Sequence, residues 1–286
     1  MQKTFTYTLN ASQEREFFKY LSSIGNSSEN PNPYVKWALR GSDWIALMYT
    51  SGKLVVQSSD VNFGKNLESG ISLKEKFEPH IGSDEVGKGD YFGPLVVCAC
   101  YVDGKVLKKV KDLGIMDSKK LTDQKMLEMG KELVKLLDYE VKIVNPREYA
   151  KLNDKYKNVS IVLAKVHVEI IKRLFDRVGD GVNFVVVDQF SKSKSRLESE
   201  FNIKVPLKQY HHAENDVAVA AASIIARYFF LLEFEKMNKK YSTKFPFGCT
   251  HVIKFGKDFY KKHGLDALKD VAKVSFRTTK EIVSSS

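Results

Sequence analysis

The chain has no run of about 18 apolar residues, so its sequence offers no membrane span. Its opening stretch, MQKTFTYTLN, lacks the basic-then-apolar shape of a secretory signal. No Gly-x-Ser-x-Gly elbow and no P-loop occurs, which leaves acyl transfer through serine and nucleotide hydrolysis without support. Cysteines number only three. Cys98 and Cys100 sit two apart in an apolar run rather than at a zinc-type spacing, and with Cys249 they read as small buried thiols in a reducing cytosol. There is no internal repeat, and the low-complexity content is limited to the short basic run Ser191-Lys-Ser-Lys-Ser195. The expectation is a soluble, cytoplasmic chain with no membrane partner.

What is present is a core-forming composition with a basic surplus. At 286 residues, with 43% hydrophobic and 12% aromatic residues, the chain has material for one large domain or two unequal ones. Its 46 Lys and Arg against 35 Asp and Glu give a formal charge of +11, which suits a polyanionic partner. Residues 1–80 hold nine basic and eight acidic side chains, so +10 of the surplus lies in residues 81–286.

Two regions differ in pattern. Phe5, Tyr7 and Leu9 alternate in a half-buried strand. Ser12 then reads as the cap of a helix running past Glu14, Glu16, Phe17, Phe18 and Leu21. Three strand-like runs, 34–39, 44–50 and 54–58, follow with short punctuation at Gly41-Ser42 and Ser51-Gly52. Residues 1–65 are therefore read as a small α+β domain and 66–80 as a linker. From Ile81 onward, apolar strands (95–102, 139–144, 184–187) alternate with helical patterns (122–137, 159–178, 213–238), an α/β sheet covered by helices over 81–286.

The segment Gly82-Ser-Asp-Glu-Val-Gly-Lys-Gly-Asp-Tyr-Phe-Gly-Pro94 is the most informative. Two adjacent acids close a strand, and Gly87 and Gly89 permit positive φ and close approach of a ligand to the backbone. A solvated acidic turn is the plain alternative. Asp188 ends a second apolar strand, where α/β sheets place functional side chains, and Glu214 and Asp216 open a long helix, where acids also complement the macrodipole. Three or four carboxylates at strand and helix ends of one domain repel one another without cations, and an all-oxygen set suits Mg²⁺ or Mn²⁺. The adjacent His211 and His212 read as solvated or packed rather than as ligands. Trp44, Tyr49 and Phe5 read as core or sheet-face aromatics.

These residues carry a resemblance. The run 82–94, the stretch Gly114-Ile-Met-Asp-Ser-Lys-Lys-Leu-Thr122, the strand ending at Asp188 and the helix Ala220–Arg227 resemble, in this order, the type 2 ribonucleases H. Gly-Lys-Gly where ribonuclease HII usually has Gly-Arg-Gly, together with an N-terminal module, is similar to ribonuclease HIII. The resemblance implies a ribonuclease H-like mixed sheet flanked by helices, preceded by a small α+β domain like one repeat of the TATA-box-binding protein, which helps hold substrate. It implies catalytic, metal-holding roles for Asp84, Glu85 and Asp188. The fourth carboxylate falls on Glu214, one residue out of strict register, with Asp216 as the alternative. It further implies that Gly87, Lys88 and Gly89 read the RNA 2′-hydroxyl, and that Ser118 and Lys119 contact the nucleic-acid backbone. A plain alternative has Lys88 solvated and Asp117 and Ser118 capping the next helix.

The implied activity is endonucleolytic hydrolysis of the RNA strand of RNA/DNA hybrids, with two ions about 3.5–4 Å apart activating water and stabilising the leaving 3′-oxygen, to give 5′-phosphate and 3′-hydroxyl ends. Within that implication Asp84 bridges the ions, Asp188 serves the attacking water and Glu214 the leaving group. The expected partner is a hybrid duplex, and the expected state is a monomer with no obligatory protein partner. Two alternatives stand beside this: ribonuclease HII-like cutting at single embedded ribonucleotides, and a non-catalytic nucleic-acid-binding protein. One geometric condition is explicit. Neighbours on a strand point to opposite faces, so Asp84 and Glu85 share a site only where the strand twists or ends.

Overall fold

A computed structural model of the chain describes residues 3–60, 62–64, 67, 77–115, 122–211 and 213–284, apart from the side chains of residues 12 and 214. Two compact units, Met1–Phe77 and Glu78–Ser286, divide it.

In the first unit β1 (Lys3–Thr8) leads into α1 (Ala11–Ile24), then β2 (Asn26–Ser27), β3 (Val35–Arg40), β4 (Trp44–Tyr49) and β5 (Lys53–Ser58). The strands form one antiparallel sheet in the order β1-β5-β4-β3-β2. The helix is capped by Asn10, not Ser12: Asn10 Oδ1 accepts from Gln13 N at 3.0 Å while Gln13 Oε1 accepts from Asn10 N at 2.9 Å. That reciprocal box starts the helix before Ser12. Phe17 and Leu21 of α1 pack against Leu39, Trp44, Ala46, Met48, Leu54 and Val56. Leu67, which falls in the stretch read as linker, is buried in the same core.

The opposite face of this sheet carries two cross-strand rows, Thr4–Gln57–Ile45–Arg40 and Thr6–Val55–Leu47–Ala38, set by the register.

The second unit is built on β6 (His80–Val86), β7 (Leu95–Val102), β8 (Asp138–Val144), β9 (Phe184–Asp188) and β10 (Leu207–Tyr210). Their order is β10-β9-β6-β7-β8, with β10, β9 and β6 parallel and β7 and β8 antiparallel to their neighbours. Around the sheet lie α2 (Leu107–Asp112), α3 (Asp123–Leu136), α4 (Pro146–Tyr156), α5 (Val159–Val178), α6 (Ser195–Glu198), α7 (Val217–Tyr241), α8 (Ile253–Val271) and α9 (Thr278–Val283).

Period-two alternation decides what each face of β6 meets. Ile81, with Val97, Ala99, Val185 and Val187 from the neighbouring strands, joins Leu163, Ile170 and Leu174 of α5 in one core. Gly82 faces the other way, against α7, so closely that a Cβ there would lie 2.2 Å from Ala218 C and Val219 N. The alanine-rich start of α7 and this glycine let strand and helix backbones touch. By length and apolar composition α7 would also pass for a membrane span, but 67% of that stretch is buried. It is a core helix.

Helix α7 begins later than its pattern suggests. Asp216 caps it by accepting from Ala218 N and Val219 N, and Ala213–Asn215 form a separate 3-10 turn. Among the thiols, Cys98 and Cys100 are buried in β7, but Cys249, in the loop after Gly248, is exposed rather than buried.

Candidate active site

The parallel register of β6 and β9 assembles the site. Ser83 pairs with Val187, so the next residues, Asp84 and Asp188, leave adjacent strand ends on the same side of the sheet. Pairing of β6 with β9 stops at Ser83, while pairing with β7 continues through Asp84, Glu85 and Val86. One edge of β6 is therefore open where the acids stand. Asp84 lies on the α7 side, where Ser223 hydrogen-bonds its carboxylate, and also accepts from Glu85 N at 2.8 Å. Glu85 points to the α5 side, with Oε2 3.3 Å from His167 Nε2 and Oε1 3.8 Å from Lys88 Nζ.

Burial pushes the Asp84 carboxyl up to about 7, the Glu85 charge adds to this and Asp188 contributes in the same sense. Both neighbours thus act on Asp84 through space, although strand alternation puts Asp84 and Glu85 on opposite faces.

Asp188 accepts from Ala213 N at 2.9 Å, which sets the residue before Glu214 against the site. The side chain of Glu214 lies outside the described residues, as do Ser118 and Lys119 and the other residues of 116–121. Asp216, the alternative fourth acid, is otherwise engaged: besides capping α7 it pairs with His80 Nε2 at 3.0 Å. Thr122, accepting from Lys125 N, caps α3 in place of Asp117 or Ser118.

The glycines divide the labour. Gly87 has φ +90°, and a Cβ on it would lie 2.3 Å from Pro94 O. Gly89 does not use positive φ and has nothing within 4 Å of its missing Cβ, so its backbone faces open space. Lys88 is not simply solvated: its Nζ donates to Phe190 O at 2.6 Å and stands 5.9 Å above the Phe190 ring.

The turn that follows is pinned from behind. Gly248 N donates to Asp90 Oδ1 at 2.6 Å, and the buried Lys273 donates from Nζ to Asp90 O and Gly93 O at 2.9 and 2.7 Å. His211, next to the 3-10 turn, is exposed.

The comparisons bear on family and fold. The model of the family described as ribonuclease HII matches residues 81–279. A ribonuclease HIII of Protochlamydia amoebophila is 34% identical, with the alignment covering 98% of this chain and 96% of the relative. The chain belongs to the ribonuclease HIII branch of the ribonuclease HII family. Its fold is ribonuclease H-like: the crystal structure of Aquifex aeolicus RNase H3 superposes with a TM-score of 0.60 at 28% identity, over 96% of this chain and all of that one. Bst-RNase HIII, crystallised in complex with Mn²⁺, superposes with a TM-score of 0.70 at 24% identity, over 99% of both chains. Membership makes the chain an endoribonuclease of the ribonuclease H type.

For a ribonuclease HIII the donor set at the end of β6 fits hard divalent cations in its chemistry, with oxygens only and a carboxyl whose ionisation its neighbours oppose. Among the described residues no three His, Cys, Asp or Glu side chains are yet grouped to hold one ion. Sequence reasoning missed Ser83, His167, Phe190 and Lys273. A histidine on the apolar face of α5, at helical spacing from Leu163, Ile170 and Leu174, was the available signal for His167. Tyr210, exposed and paired in register with Asp188, was missed too.

Proposed function

We propose that this chain hydrolyses the RNA strand of RNA/DNA hybrids at Asp84, Glu85, Asp188 and Glu214, with two Mg²⁺ or Mn²⁺ ions held by these carboxylates, leaving 5′-phosphate and 3′-hydroxyl ends. The observation that carries the reading is Asp84. Its carboxyl is buried at a strand end, feels the charges of Glu85 and Asp188 and is held up to about 7, an arrangement from which a pure polyanion binder gains nothing. Bound cations would supply a nucleophilic water at neutral pH and charge stabilisation at the leaving oxygen.

The chain's own residues supply position. Asp84, Asp188 and Glu214 would hold the ions, with Asp84 shared by both, Asp188 serving the attacking water and Glu214 the leaving group. Backbone groups of Gly87, Lys88 and Gly89 read the 2′-hydroxyl, the local mark of RNA. The open space at Gly89 supports that assignment. Ser118 and Lys119 are assigned to the nucleic-acid backbone.

The first unit, taken as a TATA-box-binding-protein-like domain, holds the duplex on the sheet face away from α1. The chain is taken to act as a monomer in the cytoplasm, where Cys98 and Cys100 stay as free thiols.

The test is cleavage of three duplexes, all-hybrid, single-ribonucleotide and all-DNA, with Mg²⁺ and with chelator. The expected result is ion-dependent cutting of the hybrid and none of DNA. Cutting confined to the single ribonucleotide would favour the ribonuclease HII-like specificity. Binding of hybrid without any cutting would overturn the reading.

A further inference from the structure

His167 is wholly buried in α5 and takes no part in the chemistry above. Its ring lies flat on Phe190, with 5.1 Å between centroids and 9° between planes. Both ring nitrogens face polar atoms: Ser83 Oγ is 2.8 Å from Nδ1, and Glu85 Oε2 is 3.3 Å from Nε2. A carboxylate only accepts, so Nε2 meets Glu85 with its N–H. The one proton of the Ser83 hydroxyl goes to Cys98 O at 2.8 Å, which leaves its oxygen to hold the Nδ1 edge of the ring.

The same carboxylate is held a second time. Lys88 Nζ, 3.8 Å from Glu85 Oε1, is anchored on the carbonyl of Phe190, the residue whose ring supports His167. Glu85 thus has one oxygen toward a buried ring and the other toward a half-exposed amine. A leucine at 167 would fill an apolar helix face without the desolvation cost of an imidazole. Ser83, one residue before Asp84, has no packing reason to be polar either.

We infer that His167 is a positioning residue: through Nε2–H it fixes the Glu85 carboxylate at the open end of β6, and Ser83, itself tied to Cys98 O, holds the ring in the orientation that lets it do so. This rests on the reading of Glu85 as a metal ligand. A partner of this kind behind a ligand is typically worth about 10- to 100-fold in metal affinity or activity.

The experiment uses the full chain as His167→Leu, His167→Gln and Ser83→Ala. Mn²⁺ affinity is measured by calorimetry without nucleic acid, alongside the Mg²⁺ concentration giving half-maximal hybrid cleavage and hybrid binding in chelator. His167→Leu is expected to weaken Mn²⁺ affinity about 10-fold or more and to raise the Mg²⁺ requirement in proportion. Hybrid binding in chelator should stay within about twofold of wild type. His167→Gln, which keeps an N–H in reach of Glu85, should recover most of the loss. Mn²⁺ affinity of a folded His167→Leu within about twofold of wild type overturns the inference, as does a Gln variant no better than Leu. Should His167→Leu fail to fold, Ser83→Ala decides, with a fall of about threefold or more expected and an unchanged affinity contradicting. A wild-type chain that binds no Mn²⁺ contradicts the metal-site reading itself, and this inference with it.

Discussion

At the scale of single residues the site trades stability for function, and pH exposes the trade. Asp84 has a folded-state carboxyl raised to about 7 from 3.8, by burial first and then by Glu85. The native chain therefore binds more protons than the unfolded chain between those values, and without metal this residue lowers stability as pH rises through that window. Asp84→Asn removes the charge. In chelator at pH 8 it should unfold roughly 2–8 °C above wild type, the shift that about 1–2 kcal/mol gives in a domain of about 200 residues. The gap should close toward pH 5, and a thermal melt series across pH checks this.

Lys273 behaves oppositely. Burial pushes its amine down to about 7 from 10.5, so the native chain binds fewer protons between those values and stability rises with pH through them. Relative to Lys273→Met, which orphans the carbonyls of Asp90 and Gly93, wild type should be favoured by about 2–3 kcal/mol at pH 9 and by less at pH 6. Denaturant unfolding at the two pH values decides, and an advantage that shrinks as pH rises contradicts it. The placing of Asp84, Glu85 and Asp188 at strand ends was legible because acids there interrupt apolar runs without a packing reason. Lys273 was not, because its acceptors lie about 180 residues away in sequence.

Elements were legible where periodicity is strong and local. Strands β7 and β9 and helices α3 and α5 follow from apolar spacing. Helix α4 is largely polar, and its signal lay in its cap instead: Asn145 accepts from Glu148 N, and Pro146 stands at the first helical position. Helix α8 escaped because its aromatic residues serve a cluster of Phe92, Phe245, Phe255 and Phe259 joined from distant segments, and Gly264 at φ +77° kinks it.

The contact of β6 with α7 at Gly82 is the element-level feature on which the site depends, because these elements carry Asp84 and Ser223. Gly82→Ala would drive a methyl into the α7 backbone at 2.2 Å. It should cost about 3 kcal/mol or more and displace the site. A melting temperature unchanged within about 2 °C would contradict the packing described.

At the scale of the whole molecule the basic surplus is uneven, with +1 in residues 1–80 and +10 in 81–286. Lys254, Lys257 and Lys261 recur along one side of α8 and make no ion pair among the described residues. The second unit should therefore supply most of the salt-dependent phosphate contact, and the first unit should bind by shape and hydrogen bonds on its open sheet face. Neutralising those three lysines should flatten the dependence of log affinity on log salt by roughly 0.9 for each phosphate left without its lysine. Leu47→Ser on the sheet face should weaken hybrid binding with the slope unchanged. The reverse pattern would assign the electrostatics to the wrong unit.

The most direct measurement compares wild type with Asp84→Asn on an end-labelled RNA/DNA hybrid in Mg²⁺, following both binding and the ends produced. The account predicts that wild type cuts within the RNA strand to leave 5′-phosphate and 3′-hydroxyl ends, and that the variant binds the hybrid but loses at least about 10³-fold in cleavage rate. Cleavage by Asp84→Asn within about tenfold of wild type would contradict it.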